Sequence, residues 1–236
     1  MSSARFALLS LFSALLLRTA LGADPVFQFC STSRNFTVNS PYESNLNKLT
    51  SFLYTKTPSS GFGLGSISHV YGLVLCRGDT SPLECKACMA DAGAEIRRRR
   101  PLNKGAVIWY DKCMFKYLDA NFFGQIDNAN RFASFNVNNV SNPAVFNRAV
   151  KGLLTGLVEE AYTMPKLYAT GEAGLAGKMK LYGLVQCTRD LSATQCKQCL
   201  ESAISALPIC CDGKEGGRVI GGSCSFRYEI YPFVNV

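Results

Sequence analysis

The sequence predicts an α+β protein built as two tandem copies of one small, disulfide-stapled domain. Three observations lead there. Residues 71–89, YGLVLCRGDTSPLECKACM, return as residues 182–200, YGLVQCTRDLSATQCKQCL, at an offset of 111 residues. The same offset carries Cys113 onto Cys224 and Tyr117 onto Tyr228, and so long a period marks duplicated domains, not a short-repeat solenoid. A leader followed by eleven cysteines places the chain in an oxidising compartment. Each copy also alternates strand-like apolar runs with helix-start signals.

Residues 1–22 read as a secretory signal. Arg5 is the charged start, residues 6–17 are mostly apolar, and Ala20-Leu21-Gly22 offers small residues for cleavage. That run is too short to span a bilayer, and no later run reaches spanning length. The mature chain is expected to be secreted and extracellular, with a first domain over 23–128 and a second over 129–236. Formal net charge is +8, or +6 without Arg5 and Arg18, which suits acidic surfaces such as cell-wall polymers and specifies nothing further.

In copy one, Val26-Phe27-Gln28-Phe29-Cys30 reads as a strand. Ser40-Pro41-Tyr42-Glu43 then opens a helix, with Ser40 as cap, Pro41 in the first turn and Glu43 completing a capping box. Leu46, Leu49 and Leu53 follow at helical spacing; copy two repeats the device with Asn142-Pro143, then Phe146, Val150, Leu153 and Leu157. Residues 54–70, rich in Gly, Ser and Thr, read as a loop with room for a short strand, and the matching segment in copy two is longer by about seven residues. A strand over 71–76 precedes a second capping box, Ser81 to Glu84, matched by Ser192 to Gln195. The helix that follows carries Cys85, Cys88, Ala92 and Ile96 along one stripe, mirrored by Cys196, Cys199, Ala203 and Leu207.

Two strands close each copy. In copy two a Gly221-Gly222 hairpin turn sets Arg218 opposite Ser225 and Val219 opposite Cys224. Val219, Cys224, Phe226, Tyr228 and Ile230 then share an apolar face, while Arg218, Ser225, Arg227 and Glu229 share the other. Asn35 in Asn-Phe-Thr and Asn139 in Asn-Val-Ser are glycosylation sequons and belong on exposed segments.

The first helical turn holding Cys85 and Cys88 allows a redox-active pair between them. The favoured alternative staples each to a neighbouring strand: Cys76 to Cys85 and Cys88 to Cys113, and likewise Cys187 to Cys196 and Cys199 to Cys224. His69 is the only histidine, so neither a metal nor any other cofactor is expected. Cys30, Cys210 and Cys211 remain. Cys30 is either free or bonded to Cys210 or Cys211, and the latter two can also bond to each other.

Two copies of C-x8-C-x2-C, each followed by a strand ending C-x3-Tyr, with AVIWYDKC and CCDGKEGGRV, are similar to the ginkbilobin-homologous domain. In tandem the chain resembles plant cysteine-rich repeat secretory proteins and the ectodomains of cysteine-rich receptor-like kinases. The resemblance implies two helices on a five-stranded antiparallel sheet in each copy, and three staples per copy including a Cys30-type bond that copy one has lost. It also implies mannose binding and antifungal activity, through an Asn after the first cysteine, an Arg six before the last and a Glu five after it. Copy one has Ser31, Val107 and Leu118 there, which removes the site. Copy two has Arg218 and Glu229; it lacks the first cysteine, so the Asn falls to Asn136 or Asn138.

An arginine and a carboxylate on one strand face can donate to and accept from neighbouring sugar hydroxyls, or merely form an exposed salt bridge worth little. The run Arg97 to Arg100 suits a solvated helix end, its cations matching the dipole. Val107, Met114 and Leu118 make copy one's equivalent face apolar, which suggests burial against copy two or a partner. Trp109 and Tyr110 are expected in the core, and His69 at the surface. With no nucleophile, acid–base pair or phosphate loop, no enzymatic activity is expected. Two functions stay in view: a mannose-type glycan-binding defence protein, with cell-wall or microbial glycans as partners, or a protein-interaction or thiol redox-sensing module pairing with receptor-like ectodomains. Neither a nucleic-acid partner nor a membrane span is expected.

Overall fold

The computed structural model describes residues 24–30, 34–175, 177 and 179–234; the leader and Ser31 lie outside the described residues. Copy one runs β1 (Phe27–Cys30), α1 (Pro41–Ser60), β2 (Phe62–Ile67), β3 (Val70–Cys76), α2 (Pro82–Arg99), β4 (Ala106–Trp109) and β5 (Cys113–Leu118). Copy two repeats it as β6 (Arg131–Phe135), α3 (Pro143–Ala161), β7 (Tyr168–Gly174), β8 (Lys180–Cys187), α4 (Ala193–Ile204), the single turn α5 (Leu207–Cys210), β9 (Gly217–Gly221) and β10 (Cys224–Glu229). The sheets have equivalent orders, β1-β4-β5-β3-β2 and β6-β9-β10-β8-β7, with every pairing antiparallel. Two long helices pack on one face of each sheet, which is the α+β fold the sequence predicts.

The helix starts follow local chemistry. Ser81 and Glu84 form a complete capping box, as do Ser192 and Gln195. At α1 the expected box is altered: Ser40 accepts from the Glu43 N–H at 3.3 Å, but the Glu43 carboxylate reaches past the cap to the Asn39 N–H at 2.7 Å. Glu43 also receives Arg97 at 2.8 Å, and Arg97 lies over the Phe36 ring. The first arginine of the 97–100 run therefore clamps α2 to α1 instead of standing in solvent.

Of the loop with room for a short strand expected over 54–70, the strand is present and the loop before it is not. Helix α1 continues through Pro58 to Ser60 and stops on Gly61, whose φ of 73° only glycine adopts readily. Strand β2 follows at once. Gly63 in this stretch and Gly72 in β3 serve close packing: a Cβ at Gly63 would meet Leu53 at 3.2 Å, and one at Gly72 would meet Leu49 at 2.9 Å. In copy two Gly171 and Gly183 meet Leu157 at 3.1 and 2.9 Å. The helices thus align as Leu49 with Leu153 and Leu53 with Leu157, and the segment between helix and strand is seven residues longer in copy two, as expected.

The closing hairpin also differs in register. Arg218 lies opposite Arg227, not Ser225, and Ile220 lies opposite Ser225. The turn widens because the linker between β5 and β6, residues 119–130, grips it: Gly222 N–H donates to Asn130 O at 2.9 Å, and Ser223 Oγ accepts from Asp127 N–H at 2.9 Å. A slip of two residues leaves every side chain on its expected face. Val219, Cys224, Phe226 and Tyr228 are buried beneath the helices, with Ile230 packed against them.

The four expected staples are present: Cys76–Cys85, Cys88–Cys113, Cys187–Cys196 and Cys199–Cys224. Cys210 bonds to Cys211, and Cys30 is free. The helix-free face of sheet one is apolar, with Leu73, Val107, Trp109 and Met114 buried and Leu118 packed on them. Copy two and the linker cover it. Phe132 stacks on Phe27 at 4.2 Å, Phe122 joins the cluster, and the Trp109 indole N–H donates to Gly221 O at 3.2 Å. Gln186 donates to Cys76 O at 3.0 Å from the other side. His69 is exposed in the β2–β3 turn, and Asn35 and Asn139 are exposed at equivalent bridges to Asn103 and Lys214.

Candidate polar pocket on the second sheet

One end of the outer face of sheet two is covered by copy one; the other end is open. There β6, β9 and β10 contribute Ser134, Arg218, Arg227 and Glu229, and with Asn136 and Tyr231 they line a cavity of about 190 Å³. The structure therefore brings together Arg218, Glu229 and Asn136. Asn138 is exposed beside them and donates its backbone N–H to Asn136 Oδ1 at 3.0 Å.

The ladders show why Asn136 holds its place. Phe135 pairs with Gly217 as Cys30 pairs with Ala106, and those partners are 111 residues apart. Phe135 stands where copy one has its strand cysteine, so Asn136 is the residue that follows that position. Its N–H donates to Gly216 O at 2.8 Å, which extends the ladder by one rung.

Glu229 is the most constrained group. Its side chain is 10% exposed, and Oε1 accepts from Arg227 Nε at 3.0 Å. Oε2 is buried and has no hydrogen-bond partner. A Cβ at position 216 would lie 1.9 Å from Oε2, so Gly216 supplies the room this carboxylate occupies. Arg218 donates through Nε to Ser134 Oγ at 3.0 Å and through Nη1 to Asp111 Oδ1 at 3.4 Å. Burial, with the Arg227 charge beside it, pulls Arg218 below the usual arginine range, while Asp111 and Glu229 work the other way. It remains a cation.

A buried carboxylate oxygen without a donor is costly, and a ligand hydroxyl would satisfy it. The guanidinium beside it can donate to neighbouring oxygens of the same ligand. In copy one Val107 and Leu118 stand at the Arg218 and Glu229 positions and are packed into the domain interface. Among the described residues no group of three His, Cys, Asp or Glu side chains is arranged to hold a metal.

Sequence reasoning placed Arg227 on the polar face but gave it no role, and it missed Asp111, which comes from the other copy. It also missed a larger, mostly apolar cleft of about 580 Å³ between α3 and α4–α5, floored by Val150, Val158, Ile204 and Tyr228. In copy one Gly93 brings α2 to Thr50 of α1, and Arg97 bridges to Glu43. Copy two has Ile204 and Pro208 at the positions of Gly93 and Arg97, and comparing the two repeats would have revealed the opening.

Residues 29–120 and 133–231 each match the family described as Salt stress response/antifungal. An antimicrobial ginkbilobin-2-like protein of Castanea crenata is 54% identical over 217 residues, covering 90% of both chains. Cysteine-rich repeat secretory protein 38 of Arabidopsis thaliana is 55% identical over 216 residues, covering 89% of this chain and 85% of its own. Among solved structures, the tandem DUF26 ectodomains of the Arabidopsis thaliana cysteine-rich receptor-like proteins PDLP5 and PDLP8 superpose with TM-scores of 0.74 and 0.77 at 24% and 22% identity. Each alignment covers 89% of this chain and all of the ectodomain, and shows a shared fold.

Proposed function

Since the chain belongs to the Salt stress response/antifungal family, we propose that it is a defence or stress protein that recognises mannose-type glycans through the copy-two pocket. The protein is secreted and extracellular, where ten of its cysteines are paired in disulfides. A relative named antimicrobial covers almost the whole chain and supports the defence role.

The observation that carries the sugar reading is the buried, unpaired Oε2 of Glu229, a residue that lines the same cavity as Arg218 and Asn136. A sugar hydroxyl supplies the missing donor. Its ring oxygen or a second hydroxyl accepts from Arg218, and the Asn136 amide can do either. The cavity is of single-ring size, and Tyr231 gives it an aromatic edge. Recognition proceeds without bond making, and the protein is proposed not to be an enzyme.

The test is a glycan array on the purified secreted chain, followed by calorimetry with methyl α-mannoside. Wild type is expected to bind mannose-terminated glycans, and Glu229→Gln and Arg218→Ala to lose at least about tenfold in affinity with folding intact. Absence of binding by wild type, or equal binding by both variants, removes the sugar reading.

A further inference from the structure

We infer that Asp111, a residue of the first copy, keeps the second copy's pocket open by holding the Arg218 guanidinium away from Glu229. The inference deepens the sugar-pocket reading and rests on it only for what the opened pocket binds.

Arg218 and Arg227 are direct cross-strand partners on one face of the sheet. Like charges so placed repel and need counter-ions. Among the described residues their ion pairs run to two carboxylates. Asp111 lies 3.4 Å from Arg218 and 2.9 Å from Arg227, and Glu229 lies 3.0 Å from Arg227. Asp111 crosses from the β4–β5 turn of the other copy, and it does not arrive loosely. Arg77 grips its second oxygen at 2.9 Å, and Arg77 is itself held by Asp79 at 2.6 and 2.9 Å with only 9% of its side chain exposed.

This arrangement accounts for the orphan oxygen. Glu229 Oε2 is buried and pairs with neither guanidinium, while the hydrogen bonds of Arg218 go to Asp111 and Ser134. Of these two tethers only Asp111 is an anion, so only Asp111 competes with Glu229 as the counter-ion of Arg218. Without it, the free carboxylate oxygen of Glu229, which lines the same cavity, becomes the counter-ion for Arg218. The site would then satisfy itself and close. Copy one has apolar residues at its own pocket positions, Val107 and Leu118; its turn instead supplies a counter-ion to the two arginines of the pocket next door.

The experiment compares full-length wild type with Asp111→Ala, Asp111→Asn and Asp111→Glu. Without ligand, arginine Nε–Hε resonances and a crystal structure report the side-chain positions; calorimetry with methyl α-mannoside reports function. Asp111→Ala is expected to shift the Arg218 resonance, bring Arg218 to hydrogen-bond distance of Glu229, and weaken mannoside binding about tenfold. Asp111→Asn keeps the shape and loses the charge, so it should behave like Ala; Asp111→Glu should restore both readouts. An unmoved Arg218 in the Ala and Asn variants overturns the inference, as does unchanged affinity when Arg218 has moved. If Arg218 moves but wild type binds no mannoside, the positioning role stands and the sugar reading alone falls.

Discussion

Cys30 and Phe135 occupy the same place in the two sheets. Each ends an outer strand, Cys30 opposite Ala106 and Phe135 opposite Gly217. Beside Gly217 stands Cys211, its sulfur 2.9 Å from where a Cβ of residue 217 would be. The residue 111 positions before Cys211 is Arg100. Each copy has therefore kept the opposite half of one strand-to-helix brace. Copy one retains the strand cysteine, which is left free, and copy two retains the helix cysteine, which has bonded to its neighbour Cys210.

Restoring the missing half should restore the brace. Arg100→Cys is expected to bond to Cys30, remove the one titratable thiol found among the described residues, and raise stability by roughly 2–4 kcal/mol. Phe135→Cys should draw Cys211 away from Cys210 and expose a new thiol at 210. Thiol titration and a disulfide map of each variant check both outcomes; retention of the Cys210–Cys211 bond in Phe135→Cys would refute the second.

Lys116 is buried, 2% exposed, against Asp127 of the linker at 2.6 Å, with the Phe122 ring 4.4 Å from its ammonium. Burial works against the Asp127 charge, but Lys116 and the Asn130 hydrogen bonds outweigh it and hold the carboxyl below its usual range. Asp127→Ala strands the lysine charge and should cost about 3–5 kcal/mol by denaturant unfolding, while Lys116→Met with Asp127→Asn should cost far less.

Trp109 should couple the copies. Its ring fills the interface, and its N–H meets Gly221 O of the other copy. Wild type is expected to melt in one transition. Trp109→Ala should cost about 3–5 kcal/mol and separate the two copies into distinguishable transitions by calorimetry. A single, merely lowered transition would show that the remaining interface suffices.

Acid should weaken the α2 start more than the α4 start. Lys112 and the Ser81 cap hold the Glu84 carboxyl down at about 2, whereas copy two has the uncharged Gln195 there. A depressed carboxyl pKa stabilises above the unfolded value and loses that contribution as pH falls from about 4.5 towards 2. Lys112→Met should raise the Glu84 midpoint, read by carboxyl NMR. Amide exchange on lowering pH should rise at residues 82–85 before 193–196.

The duplication, the secretory cysteine framework, the helix starts and the alternation that puts Arg218 and Glu229 on one face were all legible in the chain. Each depends on spacing along a few residues, where helical or strand period and capping chemistry leave little choice. The glycine-rich stretch before β3 misled because a glycine that lets a helix close on a sheet looks, in sequence, like one that makes a loop. The tertiary structure alone decided which of the open pairings Cys30, Cys210 and Cys211 take, and the contacts between residues about a hundred positions apart, Asp111 on Arg218 and Trp109 on Gly221. Those contacts depend on how one sheet docks on the other, and docking is set by the summed shape and charge of two whole faces, which no local pattern encodes.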